Sequence, residues 1–187
     1  MLDPSTCTIQ GDLSRNDAIQ LVTWCRGRDV YEFGMGGSTL LLARCARHLH
    51  SYETNADWYT LTQRRISQIK DKTCSPVLIH HDGAPPEDFP GCDVLFIDGR
   101  EDLRANWVAL ADRCGVVMIH DSRRFSDWSW AMFAFSAHFL QIGKIHMHAG
   151  ASNMMIFEMR ESPVVYENWN RTEKYNRVSP SHRNYVP

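Results

Sequence analysis

Short predicted strands alternate with stretches of helical periodicity along most of this chain. The predicted strands lie at residues 29–33, 48–53, 76–80, 93–97 and 115–120, and the last two are almost wholly apolar. Between them, apolar side chains recur at helical spacing, as in Trp58, Leu61, Ile66 and Ile69. Strands that are apolar throughout are typical of a parallel sheet covered by helices on both faces. The alternation therefore predicts a doubly wound α/β fold.

The last two predicted strands have a different connection. They span residues 144–148 and 153–158, and only residues 149–152 separate them. A link this short permits an antiparallel hairpin but excludes a crossover helix. We therefore predict a mostly parallel sheet of about seven strands that ends in a C-terminal antiparallel hairpin. We expect a single domain over residues 1–187, with an N-terminal extension at 1–12 and a polar tail at 165–187.

Two predicted helices have recognisable first turns. Ser14 and Asp17 have the spacing of a capping box, in which each side chain bonds the backbone N–H of the other residue. Asn55 is a predicted N-cap for the helix that carries Trp58 and Leu61.

Composition and charge exclude several classes of protein. The net charge of −2 gives no general attraction to nucleic acid or to an anionic membrane. The six cysteines are scattered singly, which indicates a reducing compartment rather than a disulfide framework. No apolar run approaches the roughly 18 residues of a membrane span, and no secretory signal begins the sequence. We expect a cytoplasmic protein.

A glycine cluster follows the first predicted strand. It lies in the segment from Glu32 to Thr39, EFGMGGST, and an acidic residue, Glu53, ends the next strand. Glycines at this place let a ligand approach the backbone, and the acid can accept hydrogen bonds from ribose hydroxyls. The alternative is a tight turn without a ligand. The dinucleotide pattern GxGxxG fails at Thr39, and the carboxylate of Glu32 suits a cationic ligand better than a pyrophosphate.

The segment from Val30 to Thr39 resembles motif I of the class I (Rossmann-like) S-adenosylmethionine (SAM)-dependent methyltransferases, and the resemblance extends over about residues 29–160. It implies five parallel strands with a terminal hairpin, and SAM as the cofactor. Gly37-Ser38 departs from the usual spacing of the family's third glycine. The expected cofactor-binding residues are Glu32, Gly34, Gly36, Gly37, Ser38, Glu53, Asp82 and Asp98.

Polar residues at the ends of the fourth and fifth strands are the expected catalytic groups: Asp98, His120 and Asp121. The arrangement resembles the metal-binding acids of catechol O-methyltransferase-like enzymes, which implies that Asp98 and Asp121 could hold Mg²⁺. However, Ser122 stands where that pattern has Asn or Asp. Under the alternative interpretation, Asp98 orders the SAM amino group or a loop, and Asp121 caps a helix. His120 is either a general base or a strand-end histidine bonded to a neighbour.

Three arginines, Arg100, Arg123 and Arg124, are the expected substrate-binding residues, because they cluster at the same strand ends. They can equally pair with nearby acids on the surface. The sequence predicts methyl transfer to a small polar acceptor, with a hydroxyl group favoured, and a second subunit of a homodimer could complete the site. The alternatives are a SAM-binding protein without transfer activity and an NAD-dependent oxidoreductase.

Overall fold

The computed structural model describes residues 13–121, 143–147 and 154–159, and these form one mixed sheet with helices. The strands are β1 (Asp29–Phe33), β2 (His48–Glu53), β3 (Val77–His80), β4 (Cys92–Ile97), β5 (Cys114–Ile119), β6 (Gly143–Met147) and β7 (Met155–Met159). The helices are α1 (Arg15–Cys25), α2 (Gly37–Leu42), α3 (Ala56–Gln68) and α4 (Arg104–Val108). The predicted extension at 1–12, the tail at 165–187, Arg123 and Arg124 lie outside the described residues.

The sheet has seven strands in the order β3-β2-β1-β4-β5-β7-β6. Strands β1 to β5 are parallel, and β7 is antiparallel to both β5 and β6. The predicted mostly parallel sheet with a C-terminal hairpin is therefore confirmed. Strand order reverses beside β1, because the chain moves outward to β3 and then returns to place β4 on the other side of β1. Ligands of open parallel sheets bind at such a reversal, outside the carboxyl ends of the strands.

Local signals begin two of the helices. Ser14 Oγ accepts a hydrogen bond from the Asp17 N–H at 3.1 Å, and the Asp17 carboxylate accepts one from the Ser14 N–H at 3.0 Å. This is the predicted capping box. Asn55 Oδ1 accepts bonds from the backbone N–H groups of Asp57 and Trp58, so the predicted N-cap of α3 is also confirmed.

The sheet separates two apolar layers. Alternate residues of β4 point to opposite faces: Phe96 packs in the layer with α1 and α2, and Ile97 packs in the layer with Trp107 of α4. Phe96, Ile97 and Trp107 are completely buried. Truncating a buried aromatic side chain of this kind costs about 3–5 kcal/mol. Within the described residues, no helix has both the length and the apolar character that crossing a membrane requires.

Candidate functional site

Gly34 brings the turn after β1 against the turn after β4. Its φ is +98°, a conformation that favours glycine. A Cβ atom at this position would lie 2.4 Å from the backbone nitrogen of Gly99. The Gly34 N–H also donates to the Tyr52 carbonyl at 2.8 Å. Gly34 is therefore required by the fold itself.

Gly36 has no comparable structural requirement. Its φ of 172° is an extended conformation that any residue adopts, and a Cβ atom built there would have no atom within 4 Å among the described residues. The backbone of Gly36 thus borders open space at the start of α2, which includes the predicted residues Gly37 and Ser38. The contacts of the described residues therefore give no structural reason for a glycine at this position.

Glu32 is completely buried beneath this turn. Its carboxylate accepts hydrogen bonds from the hydroxyl groups of Ser38, at 2.5 Å, Thr39, at 2.7 Å, and Ser51. Burial raises the pKa of Glu32 to about 7, although the three hydroxyl donors act to lower it. Glu32 therefore links α2 to β2. The sequence suggested a cationic ligand for this carboxylate, but in the structure its partners are hydroxyl groups of the protein.

The Glu53 carboxylate is fixed at the end of β2. One oxygen accepts a hydrogen bond from the Met35 N–H at 2.9 Å, and the other accepts bonds from the N–H groups of Thr54 and Asn55 at 2.8 Å. A carboxylate offers about four acceptor positions, so these three donors leave capacity for a ligand hydroxyl. Met35 lies between Gly34 and Gly36, in the turn after β1 that we call the glycine turn. Glu53 and the open side of Gly36 therefore belong to one site.

Asp82 lies in the turn after β3 and is exposed. Its Oδ1 accepts a hydrogen bond from the Ala84 N–H at 3.0 Å, which shapes the turn. Trp107 Nε1 donates to the neighbouring Gly83 carbonyl at 3.1 Å and anchors this turn to the buried layer. The exposed carboxylate is accessible to a ligand.

His120 lies between two carboxylates at the end of β5. Its Nδ1–H donates to Asp98 Oδ1 at 2.8 Å, and its Nε2 lies 3.4 Å from Asp17 Oδ2. Burial acts to lower the pKa of His120, but the hydrogen bonds to Asp17 and Asp98 and the charges of Asp98 and Asp121 raise it to about 10. The ring is therefore protonated at neutral pH. A histidine in this state has no free lone pair, so the geometry favours the bonded strand-end histidine over the general base.

Arg104 is a buried residue of this cluster that the sequence did not single out. It is 3% exposed, and its guanidinium donates to the Gly99 carbonyl at 2.8 Å and to the His120 carbonyl at 2.6 Å. Its Nη2 also lies 3.8 Å from Asp98 Oδ1. The sequence offered one signal, because Arg104 follows Asp98 and Arg100 in the same segment. No local sequence pattern distinguished Arg104 from the exposed Arg100.

Asp98, His120 and Asp121 do come together, as predicted. Each offers one potential ligand atom, and these atoms lie within 4.8 Å of one another. Asp121 has a φ of 54°, the one positive value at a non-glycine residue in the part of the chain that the structure describes. The donor set fits Mg²⁺ poorly, because Mg²⁺ prefers oxygen ligands to an imidazole and the Arg104 guanidinium lies 3.8 Å from Asp98 Oδ1.

Arg100 is an exposed residue that pairs with Asp102. Its guanidinium donates to both carboxylate oxygens, at 3.1 and 2.6 Å. This contact matches the surface-pairing alternative. A substrate carboxylate would have to displace Asp102 in order to use the same donors.

The fold of this protein is similar to those of several solved structures, although its sequence has no match. No family model and no curated protein sequence matches this chain. A methyltransferase-like protein from Silicibacter pomeroyi superimposes with a TM-score of 0.59 at 17% identity, over 85% of this chain and 91% of that protein. An rRNA methylase from Streptococcus thermophilus gives 0.53 at 12% identity, over 75% and 92% of the two chains.

A third similar structure contains a bound ligand. It is the N-methyltransferase NodS from Bradyrhizobium japonicum in complex with S-adenosylhomocysteine, with a TM-score of 0.53 at 10% identity over 76% of this chain and 85% of that one. Together with the strand order, these likenesses show that this protein has the fold of the class I SAM-dependent methyltransferases.

Proposed function

We propose that this protein binds SAM and transfers its methyl group to a hydroxyl group of a small polar molecule. The observation that carries the proposal is the open space beside Gly36, bordered by the fixed carboxylate of Glu53. A glycine that neither backbone strain nor steric contact requires is best explained by a ligand. Glu53 has the remaining acceptor capacity that a ribose hydroxyl needs, and the exposed Asp82 is the proposed partner of the adenine amino group.

The charge of the site supports SAM over a dinucleotide. The carboxylates of Glu53, Asp98 and Asp121 lie at the carboxyl ends of β2, β4 and β5. A pyrophosphate would be repelled by them, whereas the ammonium and sulfonium groups of SAM would be attracted. The turn also lacks the third glycine of the dinucleotide pattern, where Thr39 bonds Glu32 instead.

The chemistry is an in-line displacement in which the acceptor oxygen forms a bond to the methyl carbon as the carbon–sulfur bond breaks. Holding the two reactants in line provides most of the acceleration such a reaction needs. The hydroxyl proton must also leave. We propose Asp121 as its acceptor, because its carboxylate lies beside Asp98 at the carboxyl ends of the parallel strands, whereas the ring of His120 is already protonated. The residues present fit a metal poorly, so no step of this reaction passes through Mg²⁺.

A second function follows from the same observation about His120. A SAM-binding protein without transfer activity would need no general base, and the described part of the site contains no neutral histidine beside Asp98. The two functions differ in turnover. Both predict binding of S-adenosylhomocysteine, but only the enzyme releases this product from SAM when an acceptor is present.

The acceptor class needs a separate test, since the similar structures include an N-methyltransferase and an rRNA methylase. We favour a small molecule because the chain's net charge of −2 gives no general attraction to RNA. We further propose a cytoplasmic homodimer in which a second subunit completes the acceptor site. Sedimentation equilibrium tests the dimer, and production of S-adenosylhomocysteine with panels of small alcohols, amines and RNA tests the acceptor.

The decisive experiment for the cofactor is calorimetric titration with S-adenosylhomocysteine, with NAD as the control ligand. We expect saturable binding of the first and none of the second. Glu53→Gln is the matched variant, because it keeps the size of the side chain and removes one acceptor oxygen. It should lose about 1–3 kcal/mol of affinity. No binding by the wild type at millimolar ligand would show that the cofactor assignment is wrong.

A further inference from the structure

Helix α1 contributes a buried carboxylate to the charged end of the site. Asp17 is completely buried although it lies in the first turn of its helix. Its capping role is satisfied locally by the N–H and hydroxyl groups of Ser14, at 3.0 and 2.6 Å. Capping alone requires no contact with the sheet. The approach of Asp17 Oδ2 to His120, 103 positions along the chain, therefore needs a separate reason.

The contact fixes both ends of the His120 ring. Nε2 faces Asp17, and Nδ1 is bonded to Asp98. An imidazole held at one nitrogen only can turn about its last side-chain bond, because that torsion has a broad energy minimum. With a carboxylate at each nitrogen the ring has one orientation. The position of the Asp98 carboxylate then depends on a residue of α1.

Asp98 is held in a way that leaves one oxygen available. Both His120 Nδ1 and Arg104 Nη2 approach Oδ1, at 2.8 and 3.8 Å. Within residues 13–121 and the two described strands beyond them, the hydrogen bonds of this carboxylate go to Oδ1, and none goes to Oδ2. The Asp98 side chain is 24% exposed, whereas that of His120 is 2% exposed. Asp98 therefore combines an oxygen without a hydrogen bond, Oδ2, with enough exposure for a ligand to reach it.

We propose that Asp17 is a positioning residue that acts through His120 to aim the free oxygen of Asp98 at a cationic group of the ligand. The proposal rests on the proposed SAM site, in which the amino group of the methionine part is the group addressed. Asp17 itself touches no ligand. Helix α1 thereby becomes part of the site, although none of its residues follows a strand.

A double-mutant cycle tests whether Asp17 acts through Asp98. The variants are Asp17→Ala, Asp98→Ala and the double variant, and the measurement is the affinity for S-adenosylhomocysteine. We expect Asp17→Ala to weaken binding about fivefold, and the double variant to bind no more weakly than Asp98→Ala alone. Losses that multiply in the double variant, or an unchanged affinity in Asp17→Ala, would overturn the proposal.

Two further variants separate positioning from helix capping. Ser14→Ala disrupts the capping box but leaves the Asp17–His120 contact, so it should bind like the wild type. Asp17→Asn keeps a side chain that can hydrogen-bond the ring, so it should recover part of the affinity lost in Asp17→Ala. If Ser14→Ala weakens binding as much as Asp17→Ala does, capping explains the effect and the proposal is wrong.

A spectroscopic measurement keeps the test independent of ligand binding. In the wild type, nitrogen–proton correlation spectra of the imidazole groups should show both N–H protons of His120, protected from exchange because the ring is buried. The Nε2–H signal should disappear in Asp17→Ala and persist in Ser14→Ala. If the wild type binds no S-adenosylhomocysteine but shows this pattern, the proposed function is wrong while the positioning stands. An absent or unprotected Nε2–H signal in the wild type would refute the positioning itself.

Discussion

Substituting Gly36 by alanine should weaken ligand binding while leaving the fold intact. The added Cβ would meet no atom within 4 Å among the described residues, and the φ of 172° is available to alanine. Replacing glycine in a compatible conformation stabilises a protein by about 0.4–1 kcal/mol, because the unfolded chain loses freedom. The methyl group would instead occupy the space proposed for the ligand. We expect affinity for S-adenosylhomocysteine to fall at least about tenfold, which is about 1.4 kcal/mol.

Gly34→Ala is the matched control with the opposite expectation. Its Cβ would lie 2.4 Å from the Gly99 nitrogen and 2.7 Å from the Asp98 carbonyl carbon, and backbone atoms cannot move aside cheaply. Overpacking costs about 1–3 kcal/mol, and the left-handed conformation adds about 1–2 kcal/mol. The free energy of unfolding should therefore fall by about 2–5 kcal/mol.

Urea denaturation and calorimetric titration of both variants separate the two effects. We expect normal stability with weakened binding for Gly36→Ala, and reduced stability for Gly34→Ala. Wild-type affinity in Gly36→Ala would refute the reasoning, because it would show that the open space beside this residue holds no ligand. A large loss of stability in Gly36→Ala would show that the glycine serves the fold after all.

Three other perturbations have expected outcomes. The pKa of His120 is raised to about 10, so the stabilisation from its charged ring is complete below pH 6.5 and is lost as the pH rises through 10. Urea denaturation should therefore show that the free energy of unfolding falls by up to about 4–5 kcal/mol at alkaline pH, and His120→Gln should lack this fall. The pKa of Glu32 is raised from 4.5 to about 7, so stability should fall by up to about 3 kcal/mol between these values, and Glu32→Gln should flatten that part of the profile. Treatment with EDTA should leave S-adenosylhomocysteine binding unchanged in calorimetry, and a loss that Mg²⁺ restores would show that Asp98 and Asp121 hold a metal after all.

The sheet was predictable because its signals are local. A buried parallel strand needs only a short apolar run, so the run at 115–120 differs by one residue from the observed β5, Cys114–Ile119. The capping box of α1 spans only residues 14–17 and was equally visible. Helix α4 was less predictable. Leu103, Trp107 and Leu110 have helical spacing, which favours a longer helix, but the structure has only Arg104–Val108 between two short 3₁₀ turns.

The charged network, formed by Asp17, Asp98, Arg104 and His120, was not predictable from the sequence, because its contacts join distant segments. Asp98 and His120 were expected together, since each ends a neighbouring parallel strand. Asp17 joins them from a helix before the first strand, and sequence spacing carries no information on which face of the sheet that helix covers. Arg104 and Arg100 are near neighbours in the chain, yet the first is buried and the second is 63% exposed in its side chain. Burial, which decides their roles, is a property of the folded chain.

The glycine turn and the charged network both contact Gly99. Gly34 leaves the space into which the Gly99 backbone fits, and the Arg104 guanidinium donates a hydrogen bond to the Gly99 carbonyl. The Asp98 N–H donates to the Phe33 carbonyl at 2.7 Å, which joins the same two turns again. A shift of the glycine turn must therefore move Asp98 relative to His120. In its folded fraction, Gly34→Ala should alter the Nδ1–H signal of His120. Gly36→Ala should leave that signal unchanged although it weakens binding.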